Sequence, residues 1–563
     1  MNQKEKRRFN IVAIIAIILF CIAMSPVSLQ NDTFYTVKIG EHILQNGIDM
    51  QDPFSWHEGL AYTYPHWLYD VGMYFIYHIG GWTGIYLSTV ILACILGITL
   101  YLANCKVSKN NLISFAITLG TMYLLRGFIA ARAQLVTFIL FTLTILCIEQ
   151  FLDTKKIRYG LGLIIIPVII ANVHLAVWPF YFVLFLPYIA EYLICVISES
   201  NFGKRISIAI YTSKMKMLTK KLQKNNMQQE KVALTREKIE RLEKKIEQIN
   251  QAIFKANEQR KQRRNKPYRL QIEKKPMVKW LIVIMIIAAF TGLLTPLHGT
   301  PYTYLMDTME GNTTKSISEH QPLTLINSKD LLVIIILVLA ILMFTDTKIR
   351  LRDFFMIGGL LLLTFITRRQ MSMFFLIGSF VFVKLIDSIF AKYDPEGCDK
   401  TVKLVNTMFG RTLLLLFVLV LSLYFARQQR NETFIDANTY PVDASTYLLE
   451  NLDISTMRLY NEYNYGSYLL YRGIPVFIDS RADLYAPEFN KKGFEDGIGK
   501  DIFSDYINIS NINTYYEDKF EYYGITHAIV YKNAKLNIFL SRDDNYKELY
   551  RDDHFVIYER IVK

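Results

Sequence analysis

Cysteine is scarce in this chain and badly placed for a structural role. The 563 residues include six, at positions 21, 94, 105, 147, 195 and 398, mostly in or beside apolar runs, and none follows Cys398. Such spacing argues against a disulfide framework and against a paired-cysteine zinc site. Charge is sparse as well: Asp, Glu, Lys and Arg make up 20% of the residues against 52% hydrophobic, and the mean hydropathy is +0.21. Walker A, dinucleotide-glycine, HExxH and GxSxG patterns are all missing. Gly80-Gly81-Trp82-Thr83-Gly84 imitates a phosphate loop only superficially, since no strand precedes it. No inverted repeat of the transporter kind is visible. The missing nucleotide motifs disfavour an ATP-driven pump and the missing repeat a transporter, while a soluble cytosolic enzyme, a disordered protein and a secreted disulfide scaffold are excluded by the apolar runs described next.

What the chain has instead is long apolar runs. They fall near 9–28, 82–104, 112–128, 134–152, 158–173, 176–197, 278–295, 330–346, 351–367, 371–391 and 411–427. Each approaches the length of helix needed to cross a hydrocarbon core of about 30 Å. The first run reads as a retained anchor, because no small-x-small cleavage site follows Ala23. Eleven crossings put the segments 1–8, 105–111, 153–157, 198–277, 347–350 and 392–410 on one side. Every clearly basic loop is among them, as the positive-inside rule requires.

The net charge of +13 is local. Between Lys204 and Lys279 lie 23 Lys or Arg against 7 Glu and no Asp, a net +16 that leaves the rest of the chain at −3. Within this insertion Ile239, Leu242, Ile246, Ile249 and Ile253 repeat at 3-4-3-4 spacing, a short coiled-coil seam. Asn225-Asn226 suits a hairpin turn before it, and a basic run at 260–264 follows it. The expected partner is anionic lipid or a docking protein, and not nucleic acid.

The loop 29–81 should carry two amphipathic helices near 35–45 and 66–78, broken at Asp52-Pro53 and Gly80-Gly81. From about Arg430 the composition shifts to 15 Lys or Arg against 22 Asp or Glu. A helix at 443–452 and strands at 457–460, 475–479, 526–531 and 554–558 predict a small α/β domain there. The expected architecture is thus an α-helical polytopic membrane protein with about eleven transmembrane helices. Its parts are an N-terminal module at 1–200, a cytoplasmic coiled-coil insertion at 201–277, a second membrane module at 278–428 and an extracytoplasmic α/β domain at 429–563.

On the outer face this topology collects Asp32, His66, Arg126, Arg132, His174, His298, Glu319, His320, Arg368 and Arg369. Arginines there run against the positive-inside trend, which points to an anion that offsets them. Phosphate suits best, because a planar guanidinium binds two of its oxygens at once. Asp32 also has a plainer reading, as the N-cap of a helix starting near Thr33.

The first loop then becomes recognisable. Asn31-Asp32-Thr33-Phe34-Tyr35 is followed by Ile39-Gly40-Glu41, Asn46-Gly47, Asp52-Pro53-Phe54-Ser55, His66-Trp67-Leu68 and Gly80-Gly81. Further matches are Ala131-Arg132-Ala133-Gln134, Asn172-Val173-His174, Arg368-Arg369, Tyr440-Pro441-Val442-Asp443-Ala444 and Phe477-Ile478-Asp479-Ser480-Arg481-Ala482-Asp483. Outside the insertion the chain resembles polytopic bacterial proteins related to the GT-C glycosyltransferases, which use polyprenyl-phosphate-linked sugars. The resemblance implies Asp32 as catalytic base, while the family's frequent acidic pair is not matched. It implies a polyprenyl-phosphate-sugar donor, a glycan or protein acceptor outside the cell membrane, and a bacterial cytoplasmic membrane with the N-terminus inside.

On that reading Arg126, Arg132, Arg368 and Arg369 form the donor-phosphate clamp. His66, His174, Glu319, His320, Asp479 and Arg481 contact sugar or acceptor, and direct attack inverts the anomeric carbon. No cofactor is required. A divalent metal on Asp32 and Glu319 is the alternative that histidine and arginine surroundings disfavour. Rival readings are a non-catalytic scaffold of a glycan-assembly complex and a flippase for a lipid-linked glycan.

Overall fold

The computed structural model describes residues 3–108, 110–199, 202–222, 229–265, 270–310, 317–490 and 501–561. Helix forms at each of the eleven apolar runs. Six of these helices are long and apolar enough to cross a membrane: Lys4–Met24, Trp67–Ser108, Ala133–Thr154, Leu175–Ile197, Arg368–Tyr393 and Met408–Gln428. Three shorter apolar helices, Asn111–Leu124, Ile157–Val173 and Val278–Leu293, stand beside them. Helices Lys329–Phe344 and Leu351–Ile366 occupy the remaining two runs.

At one end of the bundle, a knot of charges ties four helices together. Arg352 Nη2 lies 3.2 Å from Glu149 Oε2, and Lys384 Nζ lies 2.9 Å from both Glu149 Oε1 and Asp353 Oδ1. The Tyr188 hydroxyl donates to Glu149 at 3.0 Å. Charges sheltered from water persist only when paired this completely.

The insertion is an antiparallel pair of helices, Phe202–Leu222 and Gln229–Asn265. Lys204 Nζ donates to the Ala252 carbonyl and Lys245 stands over the Tyr211 ring. The seam residues Ile239, Leu242, Ile246, Ile249 and Ile253 are all half-buried. The Asn225-Asn226 turn lies outside the described residues. The hairpin's root is fastened: strand β1 (Leu270–Gln271) pairs in parallel with β2 (Ile349–Arg350). Arg350 pairs with Glu273 at 3.1 Å, Lys275 with Asp153, and the Glu273 amide donates to Glu191 Oε1.

On the opposite face the first loop holds two helices, as its pattern predicts. Asn31–Asn46 ends at Gly47 (φ 82°), whose amide returns to the Ile43 carbonyl. The second begins at Trp67 and runs through a break at Gly81 (φ 55°) into the membrane span. The two helices cross at Gly40, where any Cβ would sit 2.2 Å from the Asp70 carbonyl oxygen. Only glycine permits that approach.

The tail carries a four-stranded sheet in the order β3-β4-β6-β5: β3 (Leu459–Tyr460), β4 (His527–Tyr531), β5 (Tyr546–Arg551) and β6 (Phe555–Arg560). β3 and β4 are parallel, and the β4–β6 and β6–β5 pairs are antiparallel. Two sequence expectations need correction. Residues 475–479 form no sheet strand, because the first loop and Asn461 take their backbone groups. The Val476 carbonyl accepts from Trp56 N, Phe477 O lies 2.9 Å from His57 Nε2, and Ile478 O accepts from Asn461. β5 was not anticipated, since its Tyr-Lys-Glu-Leu-Tyr-Arg sequence alternates poorly and is mostly solvent-facing.

The tail's apolar core is continuous with that of the first loop. Phe34 stands at its centre, with Trp82, Tyr440, Tyr468 and Tyr471 rings around it at 5.0–5.7 Å. Backbone bonds tie the same two regions: Leu29 N to Phe434 O, and the Tyr440 hydroxyl to Leu29 O.

Candidate active site

Asp32 lies in the first turn of Asn31–Asn46, where the helix dipole favours a negative charge. It is not the N-cap: that position belongs to Gln30, and no side chain caps this helix. The Asp32 carboxylate turns instead to Arg132, with Nη2 to Oδ2 at 2.9 Å. Arg132 is fixed by its place at the extended N-cap of Ala133–Thr154. Its other terminal nitrogen lies 3.8 Å from Glu319 Oε1, and its buried Nε has no partner. Asp32 and Arg132 remain 22% and 29% exposed at the side chain, so the pair is open to a ligand.

Beside the pair is a cavity of about 830 Å³. All four arginines expected to clamp a phosphate line it: Arg126, Arg132, Arg368 and Arg369. Lys329, Glu319 and Asp330 also line it, giving five cations against two carboxylates, while Leu124, Phe128, Ile326, Leu331, Met371 and Phe375 supply an apolar wall. Arg126 stacks on the Tyr123 ring at 4.1 Å and stands 3.8 Å from Asp330. The Arg368-Arg369 turn is stapled to the neighbouring loop, its amides donating to the Gln321 and Glu319 carbonyls at 3.0 and 2.9 Å.

Three histidines gather near this site, and all are held neutral. Burial pushes His66 down to about 4; Arg369 and Arg132 add to the effect and Asp32 opposes it. His174, whose ring is 5.0 Å from that of His66, lies well below the usual imidazole range through burial and the same cations. Its Nδ1 is 2.8 Å from the Thr137 hydroxyl. His320 is likewise lowered to about 4, by burial and then Arg369. The sign of the linkage follows. Unfolded histidines take up protons near pH 6.5, while folded His66 and His320 resist until about 4, so stability falls as pH drops through that window. A His66→Gln/His320→Gln variant should therefore show a shallower loss of Tm between pH 6.5 and 4 than the parent, as measured by thermal melts across that range.

Asp479 and Arg481 are not at this cavity. Arg481 Nη1 binds Asp52 Oδ1 at 2.7 Å, and Nη2 and Nε bind Asp479 at 2.6 and 2.9 Å. The Tyr485 hydroxyl completes the cluster at 2.6 Å from Asp479. Arg481 is 2% exposed and both aspartates 0%, so the trio locks the first loop to the tail. The expectation that the 479–483 stretch ends a sheet strand fails with the missing strand.

Several neighbours of Asp32 escaped the sequence reading. Tyr35, Tyr440 and Tyr463 all feel its charge. Near Tyr35, Asp70 is fully buried, with the Thr36 hydroxyl as its one offsetting neighbour. Burial pushes its carboxyl well above the usual carboxylate range. Nothing marks these residues in sequence: tyrosine is common throughout the chain, and Asp70 looks like a solvent-facing helix residue. Lys329 and Asp330 were hidden as ordinary helix-start residues of Lys329–Phe344.

Among the described residues no three His, Cys, Asp or Glu side chains converge in a way that could hold a metal ion. No family model matches the chain, and no curated protein matches it. Solved structures do. The chain is similar in fold to the apo form of the oligosaccharyltransferase of Archaeoglobus fulgidus, with a TM-score of 0.51 and 11% identity, over 93% of this chain and 69% of that one. At the level of fold this agrees with the GT-C resemblance drawn from the first loop.

Proposed function

We propose that this protein is a membrane glycosyltransferase that moves a sugar from a polyprenyl-phosphate donor to an acceptor at the outer membrane face, with Asp32 as base. One observation carries the reading: a partly exposed carboxylate touches a guanidinium that lines a cavity with three more arginines, the five groups coming from three separate stretches, Asp32, 126–132 and 368–369. The fold shared with an oligosaccharyltransferase supports it. The segregation of basic loops supports eleven crossings with the N-terminus inside and the tail outside, and the first-loop resemblance supports a bacterial cytoplasmic membrane.

The chemistry follows from these groups. A phosphate-linked sugar already carries a good leaving group. Asp32 takes the proton of the acceptor hydroxyl as that oxygen bonds to the anomeric carbon. The carbon–oxygen bond to phosphate breaks, its electron pair leaves with the phosphate, and the arginines offset the charge. In-line displacement inverts the centre. Neutral His66 and His320, half-buried beside the cavity, can hydrogen-bond sugar hydroxyls without adding charge, while His174, held by Thr137, backs His66. No metal step is needed.

The Asp32–Arg132 pair gives the sequence of events a physical cause. Without donor, Arg132 occupies the carboxylate and blunts it as a base. A phosphate in the cavity competes for the same guanidinium and offers an acceptor to the orphaned Nε, whose unmet hydrogen bond is worth about 1–3 kcal/mol. The base is thereby released only when donor is present.

The test uses the purified protein in lipid nanodiscs with polyprenyl-phosphate donors labelled in the sugar. Release of polyprenyl phosphate together with label transfer to an added glycan is the expected result. Donor binding with no bond cleavage, across donors and acceptors, would favour the scaffold. Label crossing a vesicle bilayer with the phosphate bond intact would favour the flippase.

A further inference from the structure

The helical hairpin has a groove that its own seam does not fill. Between helices Phe202–Leu222 and Gln229–Asn265 lies a hollow of about 340 Å³ lined by Lys214, Met217, Leu218, Lys221, Lys238, Arg241, Leu242 and Lys245. Its floor is apolar, its rim is five cations, and no carboxylate lines it. Arg241 is tied sideways to Glu237, whereas Lys214, Lys221 and Lys238 make no ion pair among the described residues.

The distribution around the helices sharpens the picture. At 100° per residue, Glu240, Glu243 and Glu247 fall on the half of their helix opposite the groove, and Glu237 sits at its edge beside Arg241. The Phe202–Leu222 helix has no acidic residue at all. On it Ile206, Ile210 and Met217 form one stripe along the groove's flank, 42%, 48% and 60% exposed. Apolar side chains in that array, beside a groove rimmed by cations, mark a contact surface rather than scattered exposure. The hairpin is also firmly rooted: β1–β2 pairing and the Glu273, Lys275 and Arg350 bonds fix its base to the bundle ends.

We infer that this groove receives an acidic amphipathic helix of a partner protein, laid between the two hairpin helices to make a three-helix array. Apolar anchors on the partner fill the floor at Leu218 and Leu242 and cover Met217 on its flank, and flanking carboxylates meet the lysines on both rims. Charge complementarity selects an anionic occupant, and concavity selects a helix over a bilayer. A flat headgroup surface could meet the rim lysines but could not reach apolar atoms at the bottom of a groove.

The test uses the full-length protein in neutral-lipid nanodiscs. The probe is a fluorescein-labelled helical peptide of about 20 residues with Leu at its a and d positions and Glu on both flanks. A control peptide of equal charge carries Ser in place of Leu. The expected result is saturable binding of the Leu peptide, weakened at least about tenfold by Lys214→Glu/Lys221→Glu, by Met217→Asp and by the Leu-to-Ser change. Sugar transfer should be unchanged in these variants, and their melts should match the parent. Equal binding of the two peptides would overturn the proposal, since charge alone would then suffice. So would absence of peptide binding, and above all if nanodiscs containing phosphatidylglycerol shield Lys214 and Lys221 from amine-reactive label. That outcome would assign the face to anionic membrane.

Discussion

Asp32→Asn should reduce sugar transfer by roughly 10²–10⁴-fold, the range that positioned general-base catalysis supplies. The substitution keeps the side chain's volume and removes its negative charge. Arg132 then loses its 2.9 Å partner and keeps only Glu319 at 3.8 Å, so the cavity gains positive charge. Donor affinity should therefore hold or rise while turnover collapses, a split between kcat and KM that a misfolded variant cannot produce. Donor binding followed by lipid-phosphate fluorescence quenching, alongside transfer of labelled sugar, reads both quantities. Unchanged turnover would remove Asp32 from the chemistry and with it the best reason to call this site catalytic.

Arg481→Met should be the most destabilising single substitution outside the membrane. It strands Asp52 and Asp479, both with fully buried side chains, without a counter-ion. Removing one partner from such a cluster costs about 3–5 kcal/mol, far more than the intact cluster adds over a well-packed apolar substitute. The loss should appear as a lower melting temperature and as faster proteolysis of the tail. Arg481 also stacks over the Tyr62 and Phe54 rings at 5.0 and 5.5 Å, contacts that methionine keeps only in part. Unaltered stability with lost transfer would instead return Arg481 to the acceptor-binding role that its sequence context suggests.

These two residues show what was legible in the chain and what was not. The apolar runs announced their helices because hydrocarbon thickness imposes a length that shows in composition. The first loop's two helices were equally plain, with breaks expected at Asp52-Pro53 and Gly80-Gly81; the first in fact ends earlier, at Gly47, and the second breaks at Gly81, both at a positive φ that glycine adopts freely. Arg126, Arg132, Arg368 and Arg369 could be grouped by side of the membrane alone, and one cavity does collect them. Pairing could not be read that way. Asp32 was open to a capping role until Arg132 was seen beside it, and Asp479 was expected near a ligand when it binds Arg481 and Tyr485. The stretch 475–479 has strand-forming residues, yet its hydrogen bonds go to Trp56, His57 and Asn461. Local propensity carries no information about a partner some 400 residues away.

That distance has a consequence in time. Asp52 and Arg481 are 429 residues apart in the chain, and the Phe34 cluster closes only when Tyr440, Tyr468 and Tyr471 arrive. At about 5–20 residues per second, a ribosome needs roughly 20 to 90 s to bridge that interval. For that whole period the first loop must wait with Phe34, Tyr35 and Tyr62 uncovered and Asp52 unpaired. The nascent chain is then most open to proteolysis and mispairing at the segment that bears Asp32. Any factor that shelters it would govern how much working protein each cell obtains.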